Sequence, residues 1–486
     1  MISYFKSCSF ANPIDRESLS PVNTESKMSK SPGRLFGTSG IRGQVDDSLS
    51  PEVAVRAGLS FAALLQNKGS VLVGRDVRSN SQLIESALVS GLLAGGIDVL
   101  DCGIVPTPAL LFAIKKLHYS AGVMVSGSHT PAPTTGLLFF LADTGEMDER
   151  DELRFEDFFR SEQLKRMPWN EVGSLSSLGI LETYFDELGK ELGSIGEFRV
   201  VVDPGNGAAW RTLGTVLENA GCQVVTINGK PDGTFPGRSP YPQPSTLGQL
   251  ASTVKDAKAD LGVGTDSDGD RALFAKSGDV LWGDTTCAIF VKDELRNHDG
   301  GHIITTINTS NVIRSLCQEH GGTLTVTKVG PPAMAEALRH ERNALIATEE
   351  SGKYIWPQVL MYGDAALAAG KLLQIMKREG KSLEELESEL PRFHQFKSTI
   401  PCPDQLKSRV LEVAAGMWKD TKGVEVSTID GIKVNYRNNS SFLLRASGTE
   451  PTLRCYAESL NLDEANKLRE IVNALAHDAL AKAEGE

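Results

Sequence analysis

Residues Ala121–Phe140 read AGVMVSGSHTPAPTTGLLFF. The first five residues are apolar and partly β-branched, as a buried strand requires. The chain then breaks into Ser126-Gly127-Ser128-His129-Thr130. Pro131 and Pro133 forbid regular structure, and Leu137–Phe140 turn apolar again, which predicts a second strand. A short loop between two buried elements therefore presents Ser128 beside His129. Gly127 and Gly136 leave the backbone free to take unusual angles or to approach a ligand closely. An isolated Ser-His pair in such a turn is ordinarily a polar turn and nothing more, so its weight depends on the rest of the chain.

Outward from this stretch, apolar strands alternate with helical spacing. Pro51–Gln66 and Ser81–Ala94 have helical patterns, the second bounded by a Ser start and a Gly95-Gly96 stop. Val71–Arg75 and Ile97–Leu100 read as strands, and Asp76–Ser79 as a polar turn. The alternation restarts at Arg199–Asp203, where PGNGAA is expected to open a helix, and again at His302–Ile307. This is the pattern of an α/β layer architecture. Beyond Phe393 the strands Lys433–Tyr436, Ser441–Arg445 and Thr452–Ala457 are grouped between two helices, which predicts a smaller α+β unit.

A chain of 486 residues corresponds to about three domains, with room for a fourth. A net charge of −12 argues against nucleic acid or an acidic membrane surface as the main partner. Seven widely spread cysteines without a CxxC pair fit reduced thiols and a cytoplasmic setting. No apolar run reaches the ~18 residues of a membrane helix. Residues 1–33 lack the apolar core of a signal peptide and are expected to form a disordered tail, with Met28 a candidate start.

Three further loops call for chemistry. Asp266, Asp268 and Asp270 alternate at the end of a strand. Like charges ~4 Å apart repel by about 4 kcal/mol per pair at an effective dielectric of ~20, so the cluster wants a cation or a proton. Hard oxygen ligands suit Mg²⁺ or Ca²⁺, but an EF-hand is excluded because its sixth and twelfth positions would be Arg271 and Ser277. Arg445-Ala446-Ser447-Gly448-Thr449-Glu450-Pro451, with Arg454, combines guanidiniums, hydroxyls and exposed N–H groups, a receptor for phosphate. Glu349-Glu350-Ser351-Gly352-Lys353 offers carboxylates suited to sugar hydroxyls, although a solvated turn accounts for it equally well.

These motifs together resemble the α-D-phosphohexomutase superfamily, the phosphoglucomutase/phosphomannomutase and phosphoglucosamine mutase enzymes, from Leu35 to the C-terminal helix. Ser126–Pro131 is similar to the family's nucleophile loop, Asp266–Arg271 to its metal loop, Thr348–Lys353 to its sugar loop and Arg445–Pro451 to its phosphate loop. The resemblance implies three related α/β domains with mixed sheets plus a smaller α+β C-terminal domain around a central cleft. The expected divisions are 34–177, 178–285, 286–393 and 394–486.

It further implies an isomerase, a mutase interconverting hexose 1-phosphate and hexose 6-phosphate on glucose or mannose phosphates. The alternatives are phosphoglucosamine mutase, another sugar-phosphate mutase, or a catalytically weakened sugar-phosphate binder. Ser128 would be the phosphoserine nucleophile, with His129, Arg42 and Arg271 catalytic. One Mg²⁺ would sit on Asp266, Asp268, Asp270 and the Ser128 phosphate. Glu349, Ser351 and Lys353 would contact the sugar, and Arg445, Ser447, Gly448, Thr449 and Arg454 the second phosphate. A hexose 1,6-bisphosphate would be intermediate and activator, and the assembly a monomer or homodimer.

Three departures stand out. Ser267 replaces a glycine of the metal loop, and Lys353 the histidine of the sugar loop. Leu138 stands where the family carries a lysine shortly after the nucleophile. Lys353 and His129 are the two candidates to replace that missing cation.

Overall fold

A computed structural model describes residues 34–448 and 450–485. The tail expected over residues 1–33, Met28 and Thr449 lie outside the described residues.

Twenty strands form four sheets among the described residues. The first sheet contains β1 (Ile41–Gln44), β2 (Ser70–Arg75), β3 (Asp98–Ile104), β4 (Ala121–Val125), β5 (Thr134–Leu141) and β6 (Leu175–Ser177), in the order β1-β5-β4-β2-β3-β6. The second contains β7 (Arg199–Asp203), β8 (Gln223–Thr226), β9 (Leu261–Thr265), β10 (Ala272–Lys276) and β11 (Asp279–Val280), in the order β11-β10-β9-β7-β8. The third contains β12 (Gly301–Thr306), β13 (Gly322–Thr327), β14 (Ala344–Glu349) and β15 (Lys353–Ile355), in the order β13-β12-β14-β15. The fourth contains β16 (His394–Pro401), β17 (Val424–Ser427), β18 (Ile432–Tyr436), β19 (Ser441–Ala446) and β20 (Thr452–Ser459), entirely antiparallel in the order β16-β20-β19-β18-β17.

The first three sheets share one device. Their bodies are parallel (β2 with β3 and β4, β7 with β8 and β9, β12 with β13 and β14). In each, one parallel strand then turns back into an antiparallel neighbour: β4 into β5, β9 into β10, β14 into β15. The nucleophile, acidic and sugar loops are these three turns. Each lies at the carboxyl end of a parallel strand, where open α/β sheets gather their ligands. The phosphate loop is the β19–β20 hairpin.

Helices pack the three α/β sheets into one continuous apolar core, which runs from Leu110 and Phe140 through Phe274 and Phe290 to Tyr354 and Tyr362. The fourth sheet has a core of its own around Val410, Phe442, Leu444 and Val472. It meets the third sheet across a polar seam: Ser310 Oγ donates to Glu458 at 2.6 Å, Asn311 N at 2.8 Å, and Lys433 Nζ to the Ile307 carbonyl at 3.0 Å.

Two local expectations change. PGNGAA leads into a short 3₁₀ turn, Ala208–Trp210, before the helix Thr212–Asn219. The C-terminal sheet begins ahead of its first helix, Lys407–Trp418, because β16 pairs along its full length with β20 although its own sequence, HQFKSTIP, shows little apolar alternation. Among the described residues no helix is long and apolar enough to cross a membrane, and their six cysteines are free thiols.

Candidate active site

Ser128 is buried and has φ +49°, a left-handed backbone that a residue with a Cβ adopts only when its surroundings hold it there. The restraint comes from the turn after β2. Asp76 accepts from Ser126 Oγ at 2.9 Å, Gly127 N at 3.3 Å and Ser81 Oγ at 2.6 Å, and it pairs with the fully buried Arg78 guanidinium. Arg78 donates to the carbonyls of Ser128 at 2.9 Å and Thr130 at 2.5 Å. Ser267, from the acidic loop, donates to the Ser128 carbonyl at 2.7 Å and accepts from Arg78 at 2.9 Å. Gly127 in this loop and Gly136 in β5 are tightly surrounded: a Cβ at Gly127 would clash with the Thr134 carbonyl and lie 2.7 Å from Arg78 Cζ, and one at Gly136 would lie 2.8 Å from the Ser126 carbonyl and 2.9 Å from Arg42 Cγ.

Asp266, Asp268 and Asp270 each aim a carboxylate oxygen at one point, these oxygens lying within 4.8 Å of one another in buried surroundings. Ser128 Oγ donates to Asp266 at 3.0 Å. The loop is held by the first residues of two helices, Thr107–Leu117 and Ala365–Glu379. Thr107 N donates to the Asp268 carbonyl at 2.9 Å and Thr107 Oγ to its carboxylate at 2.8 Å, while Ala365 N donates to the Gly269 carbonyl at 3.1 Å. One oxygen each of Asp268 and Asp270 is buried without a hydrogen-bond partner. Buried carboxylate oxygens without hydrogen bonds cost free energy unless a cation meets them, so the donor set fits a hard divalent ion. Burial, with the neighbouring carboxylates, pushes Asp266 well above the usual range and Asp268 above it. Burial also acts against Asp270, but Lys353 and Arg271 outweigh it and hold that carboxyl low.

Around the triad stand four basic or imidazole groups. Arg42 donates to the carbonyls of Ser39 and Gly127, both at 3.1 Å. Arg271 has its Nε 3.7 Å from Asp270 and 3.8 Å from Asp266. His129 Nδ1 is 3.3 Å from Ser128 Oγ, and its ring lies 5.1 Å from that of Tyr241. Burial holds the imidazole well below its usual range, and Arg271, Arg42 and Lys353 act the same way. Lys353, 1 % exposed, donates Nζ to Asp270 at 2.7 Å. Leu138 is packed in the apolar core on β5, so the ammonium near the triad arrives from β15. Glu349 pairs in register with Lys353, and one Glu349 oxygen and the Ser351 hydroxyl are buried without hydrogen bonds.

In the phosphate loop Arg445 and Arg454 are directly opposite on β19 and β20. Arg445 pairs with Asp430 at 3.0 Å and Arg454 with Glu450 at 3.3 Å. Lys407 Nζ donates to the carbonyls of Ser447 and Glu450, both at 2.6 Å. Ser447 Oγ accepts from Glu450 N at 3.3 Å. A Cβ on Gly448 would lie 2.5 Å from Thr38 Oγ, so this loop reaches the segment that carries Arg42. Asp76, Arg78, Thr107, Tyr241 and Lys407 were not singled out in the sequence. The available signal for the first two was a charged turn straight after an apolar parallel strand.

Four domain descriptions of one family match successive stretches: phosphoglucomutase/phosphomannomutase alpha/beta/alpha domains I, II and III over residues 33–166, 182–278 and 282–393, and the C-terminal domain over 400–475. The chain belongs to the phosphoglucomutase/phosphomannomutase family. It thereby falls among isomerases of the mutase type. A family relative from Thermococcus kodakarensis, named phosphoglucomutase/phosphomannomutase, is 36% identical over 457 residues, covering 92% of this chain and 99% of its own. One from Pyrococcus abyssi, named a probable phosphoglucosamine mutase, is 35% identical over 453 residues, covering 93% and 99%. The crystal structure of a family protein from Burkholderia thailandensis shares the fold with a TM-score of 0.82 at 24% identity, covering 92% of this chain and 97% of that one.

Proposed function

We propose that this chain interconverts hexose 1-phosphate and hexose 6-phosphate, on glucose or mannose phosphates, through a phosphoserine at Ser128 and a hexose 1,6-bisphosphate. The observation that carries the reading is the 3.0 Å contact between Ser128 Oγ and Asp266 inside the buried acid triad. A phosphoserine there would share a cation with the three aspartates. Bound to Asp266, Asp268, Asp270 and the Ser128 phosphate, one Mg²⁺ would offset the phosphate's charge and that of the transferring group.

In the forward half-reaction the substrate's free hydroxyl oxygen attacks phosphorus and the bond from phosphorus to Ser128 Oγ breaks. The hydroxyl proton passes to solvent on the substrate side, and Ser128 Oγ takes up a proton as its bond to phosphorus breaks; His129, 3.3 Å from Oγ, serves that serine end of the exchange. Arg42 and Arg271 stabilise charge on the transferring phosphoryl. The bisphosphate then turns over, and Ser128 takes back the phosphate from the other end. Glu349 and Ser351 read sugar hydroxyls, and Arg445, Ser447, Gly448, Thr449 and Arg454 hold the phosphate that is not reacting. Such an enzyme works in the cytoplasm, as a monomer or homodimer.

A coupled assay over glucose, mannose and glucosamine 1-phosphates, with hexose 1,6-bisphosphate as activator, tests the reading and names the sugar. The expected protein mass includes a fraction ~80 Da heavier that is absent in Ser128→Ala, together with the turnover. Wild-type turnover by Ser128→Ala, or no turnover of any sugar phosphate by the wild type, would overturn it.

A further inference from the structure

Lys353 sits where a lysine is costly. Its side chain is 1 % exposed and its ammonium lies 2.7 Å from Asp270 and 3.9 Å from the centre of the Tyr362 ring. The Tyr362 hydroxyl donates to Glu146 at 2.7 Å, and Ser39 donates to the same Glu146 oxygen at 2.8 Å. Gly363 leaves the space for this arrangement, since a Cβ there would lie 2.8 Å from Lys353 Cγ. The lysine is thus in a constructed seat, with a carboxylate, an aromatic face and a second carboxylate behind it.

Lys353 is engaged with one oxygen of Asp270, while the other makes no hydrogen bond and has only the Arg271 guanidinium at 3.7 Å; one oxygen of Asp268 is also buried without a hydrogen bond. The ammonium therefore takes one Asp270 oxygen and leaves one oxygen each of Asp268 and Asp270 without a hydrogen bond. We infer that Lys353 is a resident counter-cation of the acid triad: it holds the three carboxylates together when no divalent ion is bound and weakens the affinity for the ion when one is. This rests on the divalent site proposed above. Coulomb's law sets both signs. A fixed positive charge beside clustered carboxylates relieves their mutual repulsion, and the same charge opposes a second cation a few ångströms away. Lys353 is a positioning residue here, acting through Asp270.

The test compares the full-length wild type with Lys353→Gln and Lys353→Arg, using Mg²⁺ alone as the probe. Isothermal titration gives the Mg²⁺ affinity, and thermal unfolding is followed in chelator and in saturating Mg²⁺. Lys353→Gln should melt well below the wild type in chelator and recover most of the difference in Mg²⁺. It should bind Mg²⁺ about tenfold or more tightly, as loss of a neighbouring charge predicts. Lys353→Arg should stay close to the wild type in both. A Lys353→Gln protein that folds only in Mg²⁺ also supports the inference. Mg²⁺ affinity that is unchanged or weaker in Lys353→Gln, or a stability loss that Mg²⁺ does not repair, would overturn it while leaving the divalent site in place. No saturable Mg²⁺ binding by either protein would overturn the divalent site itself, and this inference with it.

Discussion

The Ser267 hydroxyl donates to the Ser128 carbonyl across 2.7 Å, joining the acidic loop of the second sheet to the nucleophile loop of the first. The bond holds the one residue of that loop with a left-handed backbone. A net hydrogen bond contributes about 0.5–1.5 kcal/mol. Ser267→Ala should therefore lower kcat by roughly 2- to 12-fold with KM little changed, because the serine touches the backbone of Ser128. Steady-state kinetics in both directions check this. A change confined to KM would move Ser267 from positioning to substrate contact.

Arg78 supports the same carbonyl, and its loss is a different matter. Its partner Asp76 is fully buried. Removing one member of a buried pair leaves an uncompensated charge and costs about 3–5 kcal/mol. Urea unfolding of Arg78→Ala should show a loss of that order, with turnover falling as well because the nucleophile loop loses two donors. A loss under ~1 kcal/mol would mean that Asp76 keeps enough partners in Ser81, Ser126 and Gly127 to stand alone.

Asp268→Asn removes a charge from the triad while keeping its shape and an oxygen toward Thr107. Mg²⁺ affinity and turnover should fall together, and titration of Mg²⁺ into the variant checks the first directly. Unaltered affinity would place the cation elsewhere.

The three parallel-bodied sheets were legible because strands such as Val71–Arg75 and Arg199–Asp203 are apolar runs bounded by helical patterns. Less legible were the returning strands. β5 was read, but β15 has only three residues and β10, though five long, follows directly on the acidic loop that drew attention to itself. The site was readable as motifs around Ser128, Asp266–Asp270 and Arg445, since each concentrates charge or hydroxyls in a turn. The supports were not. Asp76 and Arg78 look like any polar turn until the fold sets them under Ser128, 50 residues away in sequence for the Arg78 contact. Lys353 read as a sugar contact and as one of two candidates for the missing cation, and its approach to Asp270 is what the sequence could not give.

Glu85 makes folding sensitive to pH. Burial pushes its carboxyl up to about 7, although Arg75 lies 3.1 Å away and acts in the opposite direction. A carboxyl raised in the folded state binds more protons there than in the unfolded chain. Its stabilising contribution is full below the unfolded value near 4.5 and is lost as pH rises through about 7. The melting temperature should therefore fall between pH 5 and 8 by more in the wild type than in Glu85→Gln. Parallel curves for the two proteins would show that the carboxyl does not titrate in this window.

The two arginines of the phosphate loop should be unequal. They face each other across β19 and β20, yet Arg445 is 6% exposed and has a buried Nε without a partner, whereas the Arg454 side chain is 34% exposed. A buried charge-assisted bond contributes about 1.5–3 kcal/mol and an exposed one about 1 kcal/mol or less. Arg445→Ala should lower kcat/KM roughly 10- to 150-fold, and Arg454→Ala only several-fold. Each loss should appear with both the 1-phosphate and the 6-phosphate, because one clamp receives whichever end is not reacting. Phosphate on Ser128 should survive in both variants, since the serine belongs to a different sheet and Arg445 is occupied with Asp430. Intact mass and two-directional kinetics on the same preparations separate the cases. Unchanged kcat/KM for both isomers would return these arginines to holding the hairpin, and loss of the phosphoserine from Arg445→Ala would bring that arginine into the transfer step itself.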